Sequence, residues 1–269
     1  MNEHVIVALV ATKGLEEFLK NSLTGLVRVG VDPAIIHVAR PDNAADAIDP
    51  IVLDTGAVVH SFADFSRPSP DAMPERYADY GTEPFIAVNW EKVRYIRWLL
   101  DRYRHVVYAD LDVGWLADPL WYLEAVARFF PLAFQTEALR RFPPVLCWGF
   151  ISARSSQVTL RLLDAMLADY DARLPGQPLA DEQSTLDALV AKNPGLLGNV
   201  YQLPEGLFVN GIGYRNLLSE PAAVTPMHGK LEPFVFHANW TTGLANKRKL
   251  MAQTRTWLLD AHQTSHREE

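Results

Sequence analysis

RHVVYADLDVGWLADPLWYL, residues 104–123, sets an apolar run, Val106-Val107-Tyr108-Ala109, directly against two carboxylates, Asp110 and Asp112. A short continuous apolar run is the pattern of a strand buried on both faces of a parallel sheet. Side chains two apart on a strand point the same way, so the two carboxylates are aimed together. Like charges held that close raise each other's pKa unless a cation sits between them. The stretch therefore predicts a cation site or a solvated turn at a strand end. Further on, Asp118-Pro119 reads as a helix cap followed by proline at the first helical position, opening a helix in PLWYLEAVARFF. Asp118 is assigned to capping, not to chemistry.

Working outward, HVIVALVA (4–11) and AIIHVA (34–39) read as buried strands around a helix in GLEEFLKNSLTGLVRVG, where Leu15, Phe18, Leu19, Leu23, Leu26 and Val27 recur at helical spacing. Such a unit builds a parallel sheet with helices on both faces. Residues 60–90 hold four prolines and little periodicity, the pattern of a long loop. Thr82 is placed to cap a helix through EPFIAVNWEKVRYIRWLLDRY. LAFQTE, VLCWGFISA and PFVFHANW read as further strands; SSQVTLRLLDAMLADYDARL, DEQSTLDALVAKN and NKRKLMAQTRTWLLDAH read as helices. The expected architecture is one α/β domain over 1–262, a mostly parallel Rossmann-like sheet flanked by helices, with 263–269 as a frayed tail.

At 269 residues, 49% hydrophobic and 21% charged, the chain has the composition of a globular protein with ample core. A net charge of −7 argues against nucleic acid as a partner. The single cysteine, Cys147, excludes an internal disulfide framework and a cysteine-rich metal site, and its apolar strand makes it a core residue. The first residues lack a basic leader, and no window approaches the roughly 18 apolar residues of a membrane span. A cytoplasmic location is expected.

Ligands of open α/β sheets bind beyond the carboxyl ends of the strands. Asp110 and Asp112 would sit at such an end, and hard oxygen ligands select Mg²⁺, Mn²⁺ or Ca²⁺. His237, after the apolar strand PFVF, is the candidate third ligand. Beyond it, Gly243 is a flexible point, and Lys247, Arg248 and Lys249 form a basic cluster. Lys247 is chosen as a point-charge phosphate contact, with Arg248 or Lys249 on a solvated helix face. Thr12-Lys13 closes the first strand and would lie near a nucleotide by the same rule. Trp148 and Trp240 flank these segments, where each could pack on a sugar ring or in the core.

VVYADLDVGWLADPL resembles the Asp-x-Asp (DxD) block of glycosyltransferases with the GT-A fold, the nucleotide-diphospho-sugar transferase family. NWEKVRYIRWLL is similar to the family's lysine-bearing helix, with Lys92 in the matching place. WGFISARSSQVTLRLLDAML resembles its Gly-Phe strand and following helix, ADEQSTLDAL its Asp-Gln segment, and HANWTTGLANK its terminal His…Gly…Lys block. The resemblance runs from 82 to 260 in the family's order. It implies a GT-A type fold and transfer, with retention, of a hexosyl or pentosyl group from a nucleoside diphosphate sugar, UDP-sugar favoured. It implies Mn²⁺ or Mg²⁺ on Asp112 and His237, with Asp110 on the metal or on the donor's ribose and sugar. Lys92, Gly149, Asn210 and Gly243 would join Thr12, Lys13 and Lys247 in holding the donor. Asp181, Glu182 or Gln183 would lie beside the sugar or acceptor as catalytic candidates, although Asp181 reads equally as a helix cap. Asn210-Gly211 also reads as a turn signal. The chain departs from many relatives at Cys147, where they carry asparagine, and in the spacing from His237 to Gly243 and Lys247.

Two other classes compete: a non-catalytic sugar-nucleotide-binding protein, which would use the same metal site, and a phosphatase of the haloacid dehalogenase kind. The acceptor, whether glycan, lipid, protein or small molecule, is left open. Residues 61–84 and the turns at 205–230 are the expected acceptor contacts or lid.

Overall fold

The structure, a computed structural model, describes residues 2–66, 73–74, 76–137, 142–172, 180–219 and 233–259. In chain order its elements are β1 (Asn2–Val10), α1 (Glu16–Arg28), β2 (Ile36–Arg40), α2 (Ala45–Thr55), β3 (Val58–Ser61), α3 (Glu83–Leu100), β4 (Tyr103–Ala109), β5 (Val113–Trp115), α4 (Leu120–Ala127), β6 (Leu132–Thr136), β7 (Leu146–Arg154), α5 (Gln157–Asp171), α6 (Glu182–Lys192), β8 (Val200–Gln202), β9 (Phe208–Asn210), α7 (Gly211–Ser219), β10 (Val235–His237) and α8 (Leu244–Gln253). The main sheet has seven strands in the order β3-β2-β1-β4-β7-β6-β8. Its pairings are parallel except where β7 runs antiparallel to β4 and β6. β4 and β6 therefore end at the same edge.

Both faces of this sheet are buried, which is why β1 and β4 are continuous apolar runs rather than alternating ones. Val7, Leu9, Val107 and Ala109 face one core with α1, while Ile6, Ala8, Val106 and Tyr108 face the other with α3 and α5. A second sheet, β5-β10-β9, continues past the end of β4. There His237 registers against Val113 on one side and Asn210 on the other. The Asp110–Asp112 turn is thus the hinge point between the two sheets.

Helix starts follow their caps. Thr82 accepts from Phe85 N at α3, Ser156 from Thr159 N at α5, and Asp181 from Ser184 N at α6. At α4 the cap position falls on Pro119 rather than Asp118, and the helix runs from Leu120 to Ala127 rather than from Pro119 to Phe130; Asp118 still serves the helix start, its Oδ1 accepting from Leu120 N at 2.9 Å. The segment 45–59, unassigned from sequence, forms α2 and, with the first two residues of the expected loop, β3; Pro50 lies inside the helix. α3 begins at Glu83, behind the Thr82 cap, as expected. At Asn210-Gly211, read as a turn signal, the chain turns directly into α7, with Asn210 Oδ1 accepting from Gly213 N at 2.7 Å. The helix expected over 246–262 stops at Gln253, with Arg255 in the left-handed region at φ 58°. Beyond it Asn21 brackets the chain, donating to Thr256 O and accepting from Leu258 N, and Trp257 packs edge-on against Phe18. The expected tail, 263–269, lies outside the described residues. Among the described residues no helix is long and apolar enough to cross a membrane.

Three of the strand histidines, His37, His60 and His105, bear on the pH dependence of stability. His37 Nδ1 and His60 Nε2 are hydrogen-bonded at 2.9 Å, and His105 Nε2 meets Ser152 Oγ at 2.7 Å. Burial, with His60 nearby, pushes His37 down from 6.5 to about 4, and burial with Arg154 does the same to His105; burial lowers His60 as well. A folded pKa below the unfolded one means that the unfolded chain takes up more protons on acidification. The stability these neutral rings contribute is whole above pH 6.5 and is lost as pH falls towards about 4. Unfolding free energy is expected to decline through that window, by about 1.4 kcal/mol per pH unit for each excess proton. Denaturant titrations of wild type and His105→Gln check this: the variant should have the shallower pH slope, and equal slopes would contradict it.

Candidate metal and donor site

The site begins where β4 runs out. Asp110 N–H donates to Gly149 O at 2.8 Å, and Val113 N–H returns to Asp110 O at 3.1 Å, closing a turn that carries both carboxylates. Ala238 N–H donates to Asp112 O at 3.0 Å, which ties the turn to the end of β10. Asp110, Asp112 and His237 thereby come together, their ligand atoms all within 4.8 Å of one another. Asp112 and His237 are buried, and Asp110 is half-buried.

Gln135 decides the chemistry of His237. Its Nε2 donates to Phe208 O at 3.0 Å, which leaves Oε1 to accept from His237 Nδ1 at 2.8 Å. With its proton on Nδ1, a neutral imidazole presents the bare Nε2 lone pair, and Nε2 lies 3.3 Å from Asp112 Oδ1. Two acceptors face each other there, and only a proton or a metal ion between them makes the contact favourable. Gly149 completes the cradle: a Cβ at that position would come within 2.2 Å of His237 Cε1 and 2.8 Å of Asp110 Oδ2.

Lysines balance the carboxylates. Lys247 Nζ sits 2.7 Å from Asp112 Oδ2, and buried Lys92 bridges Asp110 Oδ1 and Glu182 Oε1, each at 3.2 Å. Tyr108 O–H adds a hydrogen bond to Asp110 Oδ1 at 2.8 Å. Burial would push Asp112 up, but the Lys247 ammonium on its Oδ2 holds it far below the usual carboxylate range. Burial would lower Lys92, but Asp110 and Glu182 raise it; burial pushes Glu182 up, against Lys92. Three carboxylates against two ammonium groups leave the cluster short of positive charge. Hard oxygens plus one imidazole nitrogen suit Mg²⁺ or Mn²⁺, so the donor set fits a divalent cation.

A cleft opens from the turn towards β1, lined by Thr12, Phe18, Tyr77, Asn89, Lys92 and Lys247 among others. Thr12 is buried in its wall, whereas Lys13 is exposed and does not line it. Gly243, at φ 82°, turns the chain into α8 so that Lys247 reaches Asp112. Arg248 points away, paired with Glu17 and over the Trp257 ring. Asn210 stands beside His237 in the small sheet, but both ends of its amide are engaged, by Thr136 O and Gly213 N. The three acid-amide candidates separate. Asp181 is spent on capping, Glu182 is buried on Lys92, and Gln183 Oε1 accepts from Trp148 N at 3.4 Å.

Gln135 and Glu137 escaped the sequence reading. They lie two apart at the end of β6, the same signature that exposed Asp110 and Asp112 on β4, and both are buried beside His237 or its neighbours. The expected lid segments are only partly described: residues 67–72, 75 and 220–232 lie outside the described residues.

Residues 59–251 match the nucleotide-diphospho-sugar transferase family. The chain is 23% identical over 209 residues to UDP-D-xylose:L-fucose alpha-1,3-D-xylosyltransferase 3 of Arabidopsis thaliana; the match covers 72% of this chain and 53% of that protein, about half its length. In structure it is similar to the galactosyltransferase LgtC crystallised with donor and acceptor sugar analogues, with a TM-score of 0.55, 11% identity, and 90% and 88% of the two chains covered. It is equally similar to mouse xyloside xylosyltransferase 1, with a TM-score of 0.55, 13% identity, and 91% and 100% covered.

Proposed function

The chain belongs to the nucleotide-diphospho-sugar transferase family, and on that premise we propose that it transfers a glycosyl group, with retention, from a UDP-sugar to an acceptor, using Mn²⁺ or Mg²⁺ on Asp110, Asp112 and His237. Its mostly parallel sheet with flanking helices is of the GT-A type. The observation that carries the metal-dependent reading is the Gln135-locked imidazole, whose free Nε2 faces Asp112.

A divalent cation held there supplies positive charge to the diphosphate leaving group. The remaining work falls to the chain's own residues. Lys247, on a helix that begins at the rim of the cleft, is placed to neutralise phosphate oxygens, passing from Asp112 to the donor. Thr12, Phe18 and Tyr77 offer a half-apolar wall for the nucleoside. Lys92 fixes Asp110 and Glu182 relative to each other. Glu182 keeps one buried oxygen, Oε2, without a hydrogen-bond partner, and that acceptor suits a hydroxyl of the transferred sugar. Burial of the cluster excludes water from the leaving-group side.

Assaying wild type against a panel of nucleoside diphosphate sugars, with Mn²⁺ or with chelator, tests this reading. Metal-dependent release of nucleoside diphosphate from one donor supports it, and the anomeric configuration of the product decides retention. Binding without any turnover would favour the non-catalytic alternative. Gln135→Leu gives a sharper test of the imidazole lock. It is expected to weaken Mn²⁺ affinity by about 10- to 100-fold, because Nδ1 loses the acceptor that fixes the ring. Competition with a fluorescent metal indicator measures this, and unchanged affinity would contradict the lock.

A further inference from the structure

At the end of the main sheet away from the Asp110–Asp112 turn lies a second cleft of about 540 Å³, lined by Arg104, His105, Glu124, Ala127, Arg128 and Arg154. Three elements bring these residues together. Arg104 and His105 lie at the start of β4, and Arg154 closes the antiparallel β7, registered directly against His105. Ser155 N–H donates to Arg104 O at 2.8 Å, and Arg154 N–H donates to Pro131 O at 2.8 Å, which fixes both backbones. α4 supplies the third wall: Glu124 and Ala127 lie a helical turn apart on it, and Arg128 follows its last residue. His105 and Asp110 are five residues apart, roughly 16 Å at the rise of a strand. The two clefts share no lining residue, so this one is separate from the metal and donor site.

Charge sets the second cleft apart. Three guanidinium groups stand against one carboxylate in its lining, on a chain whose net charge is −7. Like charges gathered around one cavity repel, and an anion between them relieves the repulsion. His105 adds no charge at neutral pH: burial and then Arg154 lower it to about 4, and its Nε2 is engaged by Ser152 Oγ at 2.7 Å. Arg154 provides the second observation. Its Nε is buried and, among the described residues, has no hydrogen-bond partner. A buried donor left unmade costs the desolvation of that group, and the guanidinium fork is the donor set that matches carboxylate and phosphate oxygens.

We propose that this cleft binds a small phosphomonoester, with Arg104, Arg128 and Arg154 as its cationic contacts. A phosphomonoester carries a charge of about −1.5 to −2 at neutral pH, which matches the two positive charges left once Glu124 is set against three arginines. Its three terminal oxygens accept from several guanidinium groups at once, Arg154 Nε among them. The cleft is wider than a phosphate group alone and has room for a small organic substituent. The site stands independently of the transferase reading.

Calorimetric titration of the 269-residue chain with inorganic phosphate and with glycerol 3-phosphate, and with glycerol as the neutral control, tests the assignment. Both phosphates are expected to bind with a Kd of about 1 mM or tighter, and glycerol not at all. Arg128→Gln and Arg154→Gln should each weaken binding by about tenfold, and Glu124→Gln should tighten it by about threefold, because it removes the one opposing charge. Should Arg154→Gln fail to fold, Arg128→Gln and Glu124→Gln, both at exposed positions, carry the same test. Binding unchanged in all the variants would place the anion elsewhere, Lys247 being the other candidate, and would overturn the site. Absence of binding at about 10 mM of either phosphate would also overturn it. So would sedimentation with phosphatidic acid vesicles without binding of the soluble phosphates, which would make the arginines a lipid-docking face instead.

Discussion

Asp112→Asn is expected to lower sugar transfer by at least about a thousandfold while leaving the fold intact. Asp112 is the point on which the site converges. Its two oxygens meet His237 Nε2 at 3.3 Å and Lys247 Nζ at 2.7 Å, and its carbonyl holds Ala238 N–H. Asparagine keeps the shape and the backbone bond but removes the charge that makes the pocket a cation site. An amide oxygen is a weak ligand, and an amide N–H turned towards Nε2 would occupy the lone pair the metal needs. Stability should move little, because the half-buried Lys247 can reach solvent when released. Steady-state kinetics beside circular dichroism check both halves. A variant with more than about a tenth of wild-type activity would contradict a role for Asp112 in holding the metal.

Lys92→Met should act mainly on stability. Lys92 is buried between Asp110 and Glu182, and Glu182 is only 3% exposed. Methionine fills the volume of the side chain but leaves a buried carboxylate unpaired, a loss of about 3–5 kcal/mol. For a chain of this size that corresponds to a fall of roughly 10 °C in melting temperature. Adding Glu182→Gln to Lys92→Met removes the stranded charge and should recover a substantial part of the loss. Thermal unfolding of the single and double variants measures the coupling, and strictly additive effects would show that Lys92 and Glu182 do not support each other.

The main sheet was legible in the chain because its central strands are buried on both faces. Val5 to Val10 and Val106 to Ala109 have no solvent side to satisfy, and a continuous apolar run of that length has few other uses. Asp110, Asp112 and His237 were legible because each follows such a run, where polar residues mark the end of the strand. The helix α2 was obscured by Pro50, and the end of α8 by a tertiary bracket, Asn21 on Thr256 and Leu258, which local spacing does not encode. At Asn210-Gly211 the turn signal alone did not say that the asparagine amide opens a helix. Gln135 needed knowledge of which strand end faces His237, which depends on β7 running antiparallel between β4 and β6. The separation of Asp181 from Glu182 also lies in packing, since adjacent residues at a helix start point in different directions and only the partner lysine selects one.

Calorimetric titration of UDP into the wild-type protein, once with Mn²⁺ and once with excess chelator, bears most directly on the central claim that Asp110, Asp112 and His237 hold a divalent cation against a nucleoside diphosphate. Binding in the presence of Mn²⁺ that weakens by about a hundredfold or more in chelator is the expected result, a loss of roughly 2.7 kcal/mol. Equal affinity with and without the metal, or no binding under either condition, would contradict it.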